Sequence, residues 1–417
     1  MAWLARVASP AEESAPRRWC AWLLAVAAVA LVAHPLHRSG SGPPVEVVWT
    51  FEAERRGAFL AGPLVTGGRV YATAAHDSVF ANAGAVYCLD EATGKLRWRF
   101  DDGGRMQHSY SRPTKAGGWL YAGEGMHANF TCHLYCLDAD TGQFRWRYRA
   151  EGHIESSAWV DAGRVVFSAG DDGILCLDAD TGVRCWQCAG PFHTDSDPVV
   201  AGERVFAGCG VSRTKRVTQA LCLRASDGSV LWRYPTDLPV WGSPVVDGDD
   251  VFFGLGNGRL LVPPQSPDQP RGGVLCLRAA SGALRWRFDA GDAVFGRVTV
   301  ADRAVFLGSR DGRCTCLDRA TGRVRWQRNL GSPVVTRPAY AGRRLYVVAS
   351  GGTVSSLDAA TGRPIWTFDV AAHTRTSPQL LSSPQVIERD GTDRRIYFGT
   401  ELRNASRSAA VLYCLRD

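Results

Sequence analysis

A repeated segment that ends in tryptophan constrains this sequence more than any other feature. Residues 86–98 read VYCLDEATGKLRW, and variants of this segment recur along the chain as far as VSSLDAATGRPIW at residues 354–366. The terminal tryptophans of these segments lie 40 to 54 residues apart and are Trp98, Trp146, Trp186, Trp232, Trp286, Trp326 and Trp366. A repeat of about 40 residues is typical of the blades of a propeller.

Each repeat predicts two strands joined by a tight turn. Apolar residues alternate before the Asp, and the Asp-x-x-Thr-Gly segment predicts a turn with a positive φ at its glycine. Two further short strand patterns precede each copy, for instance at residues 198–200 and 204–207. The sequence therefore predicts an all-β fold, a β-propeller of four-stranded antiparallel blades, rather than a helical solenoid.

The two ends of the chain predict how the ring closes. The last residues, VLYCLRD at 411–417, contain the first half of the repeat without its turn and tryptophan. The missing second half is found at residues 47–51, where Trp49 takes the place of the repeat tryptophan. Pairing the two ends completes an eighth blade and leaves no free sheet edge. We therefore predict an eight-bladed propeller over residues 45–417, closed by its N-terminal strand.

The first 38 residues predict a targeting signal. Three arginines, Arg6, Arg17 and Arg18, precede an apolar run over residues 19–33. This run is short for a membrane span and has the length of a signal-peptide core. Residues 1–38 are predicted to be a cleaved signal peptide or an inner-membrane anchor, and residues 39–44 (SGSGPP) a flexible linker. The positive charge predicts that the propeller lies outside the cytoplasm, in the periplasm, with membrane contact through this segment only.

The combination of a small residue, Leu-Asp, Thr-Gly and tryptophan resembles the PQQ-like (pyrroloquinoline-quinone-like) repeat family over residues 45–417. This family includes quinoprotein alcohol dehydrogenases and scaffold propellers of the outer-membrane β-barrel assembly machinery, the BamB type. These classes share a fold and differ in function. For a dehydrogenase, the resemblance implies PQQ between a tryptophan and a disulfide of adjacent cysteines, beside Ca²⁺ and a catalytic aspartate. No two cysteines are adjacent in this chain, so a PQQ enzyme is not predicted.

Cysteine recurs at one position of the repeat, just before the leucine. The seven cysteines at this position are Cys88, Cys136, Cys176, Cys222, Cys276, Cys316 and Cys414, and Ser356 takes the eighth place. We interpret them as small buried residues between blades. The other cysteines leave a disulfide open, and the sequence does not give its connectivity.

Histidine recurs in the segments that connect successive blades. His153 lies five residues before Ala158, and His193 five residues before Pro198. The rim cluster that we predict on this basis consists of His108, His153, Glu155, His193, Asp195 and His373. Imidazole and carboxylate groups suit Zn²⁺, Cu²⁺ or Fe. The alternative hypothesis is that each histidine is hydrogen-bonded locally. His76 and His127 are predicted on the same face, in loops whose unequal lengths mark a binding face.

The function that we expect is that of an exported, monomeric, non-catalytic scaffold that binds an envelope or membrane-associated protein and needs no cofactor. The net charge of +7 comes from scattered arginines, which argues against a nucleic-acid partner. Two alternatives stay open. The rim cluster suits a metal- or quinone-dependent enzyme or a metal-binding protein, and exposed aromatic residues such as Trp241 suit carbohydrate or polymer binding.

Overall fold

The computed structural model describes residues 45–76, 83–126, 129–257, 260, 272–391, 393–404 and 408–417. The predicted signal or anchor at residues 1–38 and the linker at 39–44 lie outside the described residues. In the described part of the chain, the strands form eight antiparallel sheets, which are the blades of a propeller. No helix among these residues is long and apolar enough to cross a membrane.

The chain begins with strand β1 (Glu46–Glu52), which belongs to blade 8. Blades 1 and 2 then follow, with strands β2 (Gly57–Ala58), β3 (Leu64–Thr66), β4 (Arg69–His76), β5 (Ala83–Asp90) and β6 (Leu96–Phe100), and β7 (Thr114–Ala116), β8 (Trp119–Gly123), β9 (Cys132–Asp138) and β10 (Phe144–Ala150). Blades 3 and 4 contain β11 (Trp159–Asp161), β12 (Arg164–Ser168), β13 (Ile174–Asp178) and β14 (Arg184–Cys188), and β15 (Val199–Ala201), β16 (Arg204–Cys209), β17 (Gln219–Arg224) and β18 (Val230–Pro235).

The second half of the ring repeats this order. Blades 5 and 6 contain β19 (Gly242–Asp247), β20 (Asp250–Gly256), β21 (Gly272–Arg278) and β22 (Leu284–Ala290), and β23 (Thr299–Ala301), β24 (Ala304–Gly308), β25 (Arg313–Asp318) and β26 (Val324–Asn329). Blades 7 and 8 contain β27 (Ala339–Ala341), β28 (Arg344–Ala349), β29 (Thr353–Asp358) and β30 (Pro364–Asp369), and β31 (Ser377–Gln379), β32 (Gln385–Arg389), β33 (Asp393–Arg403) and β34 (Ser408–Arg416). A short helix, α1 (Val370–Thr374), precedes β31, and a 3₁₀ turn covers Asp102–Gly104.

The two ends of the chain meet in blade 8. Strand β1 pairs with β34, so that Trp49 lies opposite Cys414 and Phe51 lies opposite Leu412. This pairing confirms the prediction that the N-terminal strand completes the C-terminal blade. Blades 1 and 8 each contain an extra short strand, because β4 pairs with both β2 and β3, and β33 pairs with both β31 and β32.

Each repeat tryptophan docks on the turn of the next blade. The Trp98 Nε1–H donates to the Ala139 carbonyl at 3.2 Å, and a Cβ at Gly142 would lie 2.6 Å from the indole ring. Gly142 also has a φ of +72°, so the turn and the docking both require glycine. In blade 8 the chain end replaces the turn, and Trp366 donates to the Asp417 carboxylate at 2.8 Å. The tryptophans that dock like Trp98 are Trp49, Trp146, Trp186, Trp232, Trp286 and Trp326.

The core of the protein lies between the blades. Among the described residues, eight clusters of buried apolar side chains each join two neighbouring blades. The repeat cysteines lie within these clusters, as Cys136 does opposite Trp146. Burial raises the pKa of Cys136 to about 11, so its thiol is protonated at neutral pH and is a weak nucleophile. All twelve cysteines in the described ranges are free thiols.

Two faces of the propeller differ in their loops. The segments between blades and the loops between second and third strands form what we call the loop face. The loops between second and third strands differ in length. They are long in blade 2 (124–131) and blade 4 (210–218) and short in blade 6 (309–312) and blade 7 (350–352). The opposite face, which we call the turn face, contains the Asp-x-x-Thr-Gly turns and the short turns between first and second strands.

Candidate functional site

Three of the predicted rim residues lie side by side on the loop face. The Nε2 atom of His153 is 2.9 Å from Oδ1 of Asp195, and the Nε2 atom of His193 is 3.0 Å from Oδ2 of the same carboxylate. The centroids of the two imidazole rings are 5.2 Å apart. All three side chains are buried or nearly so. Their candidate ligand atoms lie within 4.8 Å of one another, the geometry of a small cation site.

Backbone bridges hold His193 in the segment between β14 and β15. His193 exchanges two hydrogen bonds with Gly210, at 3.3 and 2.7 Å. Gly170, in the short loop of blade 3, has a φ of +54°. A Cβ atom there would lie 3.0 Å from Cε1 of His153 and 3.2 Å from Cε1 of His193. Because residue 170 is glycine and has no Cβ atom, the two imidazole rings can approach each other.

A second carboxylate, that of Asp171, contacts the other side of His193. Its Oδ1 atom lies 2.6 Å from the Nδ1 atom of His193, and its Oδ2 atom accepts hydrogen bonds from Ser212 and Thr214. If the proton of a neutral His193 ring is on Nδ1, the lone pair of Nε2 points at an oxygen of Asp195. Two such acceptor atoms repel each other, so a proton or a cation must lie between them. Burial opposes a charged ring, but the two carboxylates outweigh burial and raise the pKa of His193 above its ordinary value.

His108, the rim histidine of blade 2, lies elsewhere. Its Nε2–H donates to the backbone oxygen of His76 at 2.8 Å, and its Nδ1 atom is buried without a hydrogen-bond partner among the described residues. His76 is itself fully buried, between the Tyr87 hydroxyl at 2.9 Å and the Arg56 carbonyl at 3.3 Å. Burial lowers the pKa of His76 to about 4, so the ring is neutral at physiological pH. His127 lies outside the described residues.

The predicted register is wrong for blade 8, and His373 is not part of the cluster. His373 lies five residues before Pro378, so the offset shared by His153 and His193 predicts that the inner strand of blade 8 begins at Pro378. In the structure the inner strand of blade 8 is β32, and Pro384 precedes it. Strand β32 pairs with β33 in the same register in which β15 pairs with β16 in blade 4. His373 lies on α1, and its ring is 5.3 Å from that of Phe368. The segment between blades 7 and 8 contains an inserted helix, and this insertion shifts the register.

Two residues extend the site beyond the sequence-based cluster. The ring of Trp241 lies 6.1 Å from that of His193 and nearly perpendicular to it. Asp171 was not predicted from the sequence, although it lies in a loop of the same face, at residues 169–173. Its contact with His193 depends on how a loop of one blade meets the segment that leads to the next, which sequence spacing does not encode.

A central channel lies inside the ring of blades. Its cavity has a volume of about 660 Å³ and is lined by residues of all eight blades, with Glu155 and Trp159 among them. Cysteine is missing from the described lining residues. The channel therefore lacks the thiol pair implied for a dehydrogenase quinone site, and its residues do not fit PQQ.

Comparison of the sequence with models of known protein families gives a match. The family described as "Outer membrane protein assembly factor BamB" matches residues 44–126, 82–269 and 270–409. No curated protein matches the sequence. Among solved structures, BamB from Moraxella catarrhalis has a TM-score of 0.63 at 16% identity, over 89% of this chain and 98% of that one.

Quinoprotein enzymes share the same fold. The quinohemoprotein alcohol dehydrogenase from Comamonas testosteroni has a TM-score of 0.66 at 14% identity, over 89% of this chain and 76% of that one. A europium-containing methanol dehydrogenase has a TM-score of 0.67 at 13% identity, over 89% and 93% of the two chains. At such identities the structural likeness shows the fold alone. The family match covers most of the sequence, and the chain therefore belongs to the BamB family of PQQ-like β-propellers.

Proposed function

We propose that this propeller is a non-catalytic scaffold of the cell envelope, which binds a membrane-associated protein through its loop face. The observation that supports this function best is the match to the outer-membrane assembly factor family, which reaches from residue 44 to residue 409. The loop face also exposes apolar side chains in its long loops. Phe130 in blade 2 is 76% exposed and Val217 in blade 4 is 37% exposed.

Phe130 has the properties of an anchor for a protein partner. The backbone on either side of it is held by hydrogen bonds, from Asn129 N to Met126 O at 2.6 Å and from Thr131 N to Glu151 O at 2.9 Å. The ring is therefore presented to solvent from a braced loop, and its burial would contribute about 25 cal/mol per Å² of apolar surface. Aromatic residues, phenylalanine among them, are enriched in protein–protein interfaces.

A photoreactive phenylalanine analogue at position 130 tests the scaffold function. In the full-length protein in its native host, we expect this analogue to crosslink to a membrane-associated protein. The same analogue at Phe144, a 51% exposed residue beside the turn face, is the matched control and should not crosslink to that protein. We also expect Phe130→Ala to weaken the complex by about 2 kcal/mol, or about 30-fold. Equal crosslinking from both positions, or none from position 130, contradicts the proposal.

Metal binding at His153, His193 and Asp195 is the second candidate function. The donor atoms of these residues lie within 4.8 Å of one another, and imidazole with carboxylate suits Zn²⁺ or Cu²⁺. Asp171 bonds the second nitrogen of His193, and an outer carboxylate of this kind commonly orients a metal-bound histidine. A cation would take the place between Nε2 and Asp195 that a proton otherwise takes.

Elemental analysis of the full-length protein tests the metal candidate. After incubation with Zn²⁺ or Cu²⁺ and gel filtration without chelators, we expect about one ion per chain. His193→Gln or Asp195→Asn should abolish this uptake, because each change removes one ligand and leaves fewer than three. His373→Gln is the control and should leave the uptake unchanged, since His373 is exposed and lies on α1. A wild-type protein that leaves the column without metal refutes this candidate.

A further inference from the structure

One residue at the equivalent position of each blade forms a ring inside the central channel. In blades 2, 6 and 7 this residue is arginine (Arg112, Arg297 and Arg337), in blade 4 it is Asp197, and in the other blades it is glycine or serine. Hydrogen bonds from a backbone N–H of one blade to a side chain of the next blade connect neighbouring positions of the ring. The N–H of Arg337 donates to the serine Oγ of blade 8 at 3.0 Å, and Asp197 receives the N–H of the serine of blade 3 at 2.7 Å.

The three arginines all line the cavity of the channel. Blades 2 and 6 face each other across an eight-membered ring, and blade 7 is next to blade 6. Arg112 therefore belongs to the wall opposite Arg297, and Arg337 belongs to the blade next to Arg297. Their charges interact. Partial desolvation by the surrounding channel wall, followed by the charges of Arg297 and Arg112, lowers the pKa of Arg337 to about 10. Burial also lowers the pKa of Arg112 and of Arg297.

The hydrogen-bond partners of these guanidinium groups are neutral. Arg112 donates from Nη2 to the Gln385 Oε1 atom at 2.7 Å and from Nε to the Pro63 carbonyl at 3.2 Å. Arg337 donates from Nε to the Thr299 hydroxyl at 3.3 Å. Among the described residues, neither they nor Arg297 form an ion pair. A cation held only by neutral acceptors keeps most of its attraction for an incoming anion.

The carboxylates of the channel compensate the arginines only in part. The charged residues of the lining are the three arginines, Asp197 and Glu155, which leaves one excess positive charge. One oxygen of Asp197 is already bonded to a backbone N–H of blade 3. The electrostatic potential at the ring is therefore positive, in a cavity with low-dielectric walls that strengthen the field.

We propose that this ring binds a small oxyanion with two or more negative charges through Arg112, Arg297 and Arg337. The planar guanidinium fork matches the paired oxygens of a phosphate or a carboxylate. The cavity, at about 660 Å³, has the size of a small-molecule site, for which roughly 300–1,000 Å³ is usual. Arg337 is exposed to solvent in the channel, so an anion can reach it. The site does not depend on a protein partner at the loop face or on a metal at His193.

Calorimetric titration of the full-length protein with inorganic phosphate and with citrate, in a dilute chloride buffer, tests the proposal. We expect saturable binding of one anion per chain and at least tenfold weaker binding in Arg297→Gln and in Arg337→Gln. Arg323→Gln removes the same charge from an exposed position of a turn and is the matched control, with unchanged affinity. Binding of phosphate alone identifies the ligand class as phosphate or a phosphorylated compound, and binding of citrate alone identifies a polycarboxylate.

Thermal unfolding provides a second readout that also shows whether the variants fold. Without added anion, Arg297→Gln should unfold at a higher temperature than the wild type, because it removes a repelling charge. The anion should stabilise the wild type and the control but not this variant. The proposal is overturned if neither anion binds the wild type, or if Arg323→Gln weakens binding as much as Arg297→Gln does.

Discussion

Removal of strand β1 is expected to abolish cooperative folding of the propeller. Trp49 on this strand donates from Nε1 to the Glu91 carbonyl at 3.0 Å, in the neighbouring blade. Phe51 lies with its ring centroid 6.4 Å from that of Phe59 and 5.7 Å from that of Tyr87. Loss of one large buried aromatic side chain costs about 3–5 kcal/mol, and a whole domain is stable by about 5–15 kcal/mol. Loss of the strand therefore removes stabilisation comparable to the whole free energy of unfolding. It also exposes the edge of β34.

The measurement compares a chain that begins at Val45 with one that begins at Ala53. We expect the longer chain to unfold in one transition in urea, followed by circular dichroism, and the shorter chain to aggregate or to show no transition. A synthetic peptide of residues 45–52, added during refolding, should restore part of the transition, because it can pair with β34. The expectation fails if both chains unfold at the same urea concentration.

The architecture could be predicted from the sequence because each repeat contains its own local structure. In blade 1, the Asp90 Oδ1 atom accepts hydrogen bonds from the Thr93 N–H at 3.0 Å and from its hydroxyl at 2.9 Å, so the turn forms within five residues. The glycine that follows makes room for the tryptophan of the previous blade. The aspartate contact recurs in blades 2, 3, 6 and 7, and the glycine contact recurs in all seven turns, so counting repeats counts blades. Closure by Trp49 followed from the same count.

The candidate site could be predicted only where the segments between blades have equal length. His153 and His193 lie at the same offset from their inner strands, so neighbouring blades bring them together at Asp195. His373 has a similar offset in sequence, but the helix inserted before β31 moves it away. The contact of Asp171 with His193 joins a loop to a segment between blades, and no periodicity indicates it.

The loop face of blade 6 contains a buried ion pair between Arg310 and Asp292. Arg310 lies in the loop between β24 and β25, and Asp292 lies in the segment that leads from blade 5 to blade 6. The Arg310 guanidinium contacts the Asp292 carboxylate through Nη2 at 2.5 Å and through Nε at 3.1 Å. The two side chains are 1% and 6% exposed. The guanidinium carbon also lies 5.4 Å from the ring centroid of Phe295. This pair is thus almost completely removed from water, unlike the ion pairs at the surface.

Arg310→Met is expected to lower the free energy of unfolding by about 3–5 kcal/mol, since it leaves the Asp292 carboxylate buried without its counter-charge. The double variant Arg310→Met/Asp292→Leu should lose much less, because it leaves no unpaired charge behind. Arg149→Met is the control. Its ion pair with Glu151 is 56% and 69% exposed, so the change should cost less than about 1 kcal/mol. Urea unfolding at pH 7 measures all four proteins. A loss below 1 kcal/mol in Arg310→Met, or a double variant as unstable as the single one, would show that desolvation of the pair does not govern stability at this rim.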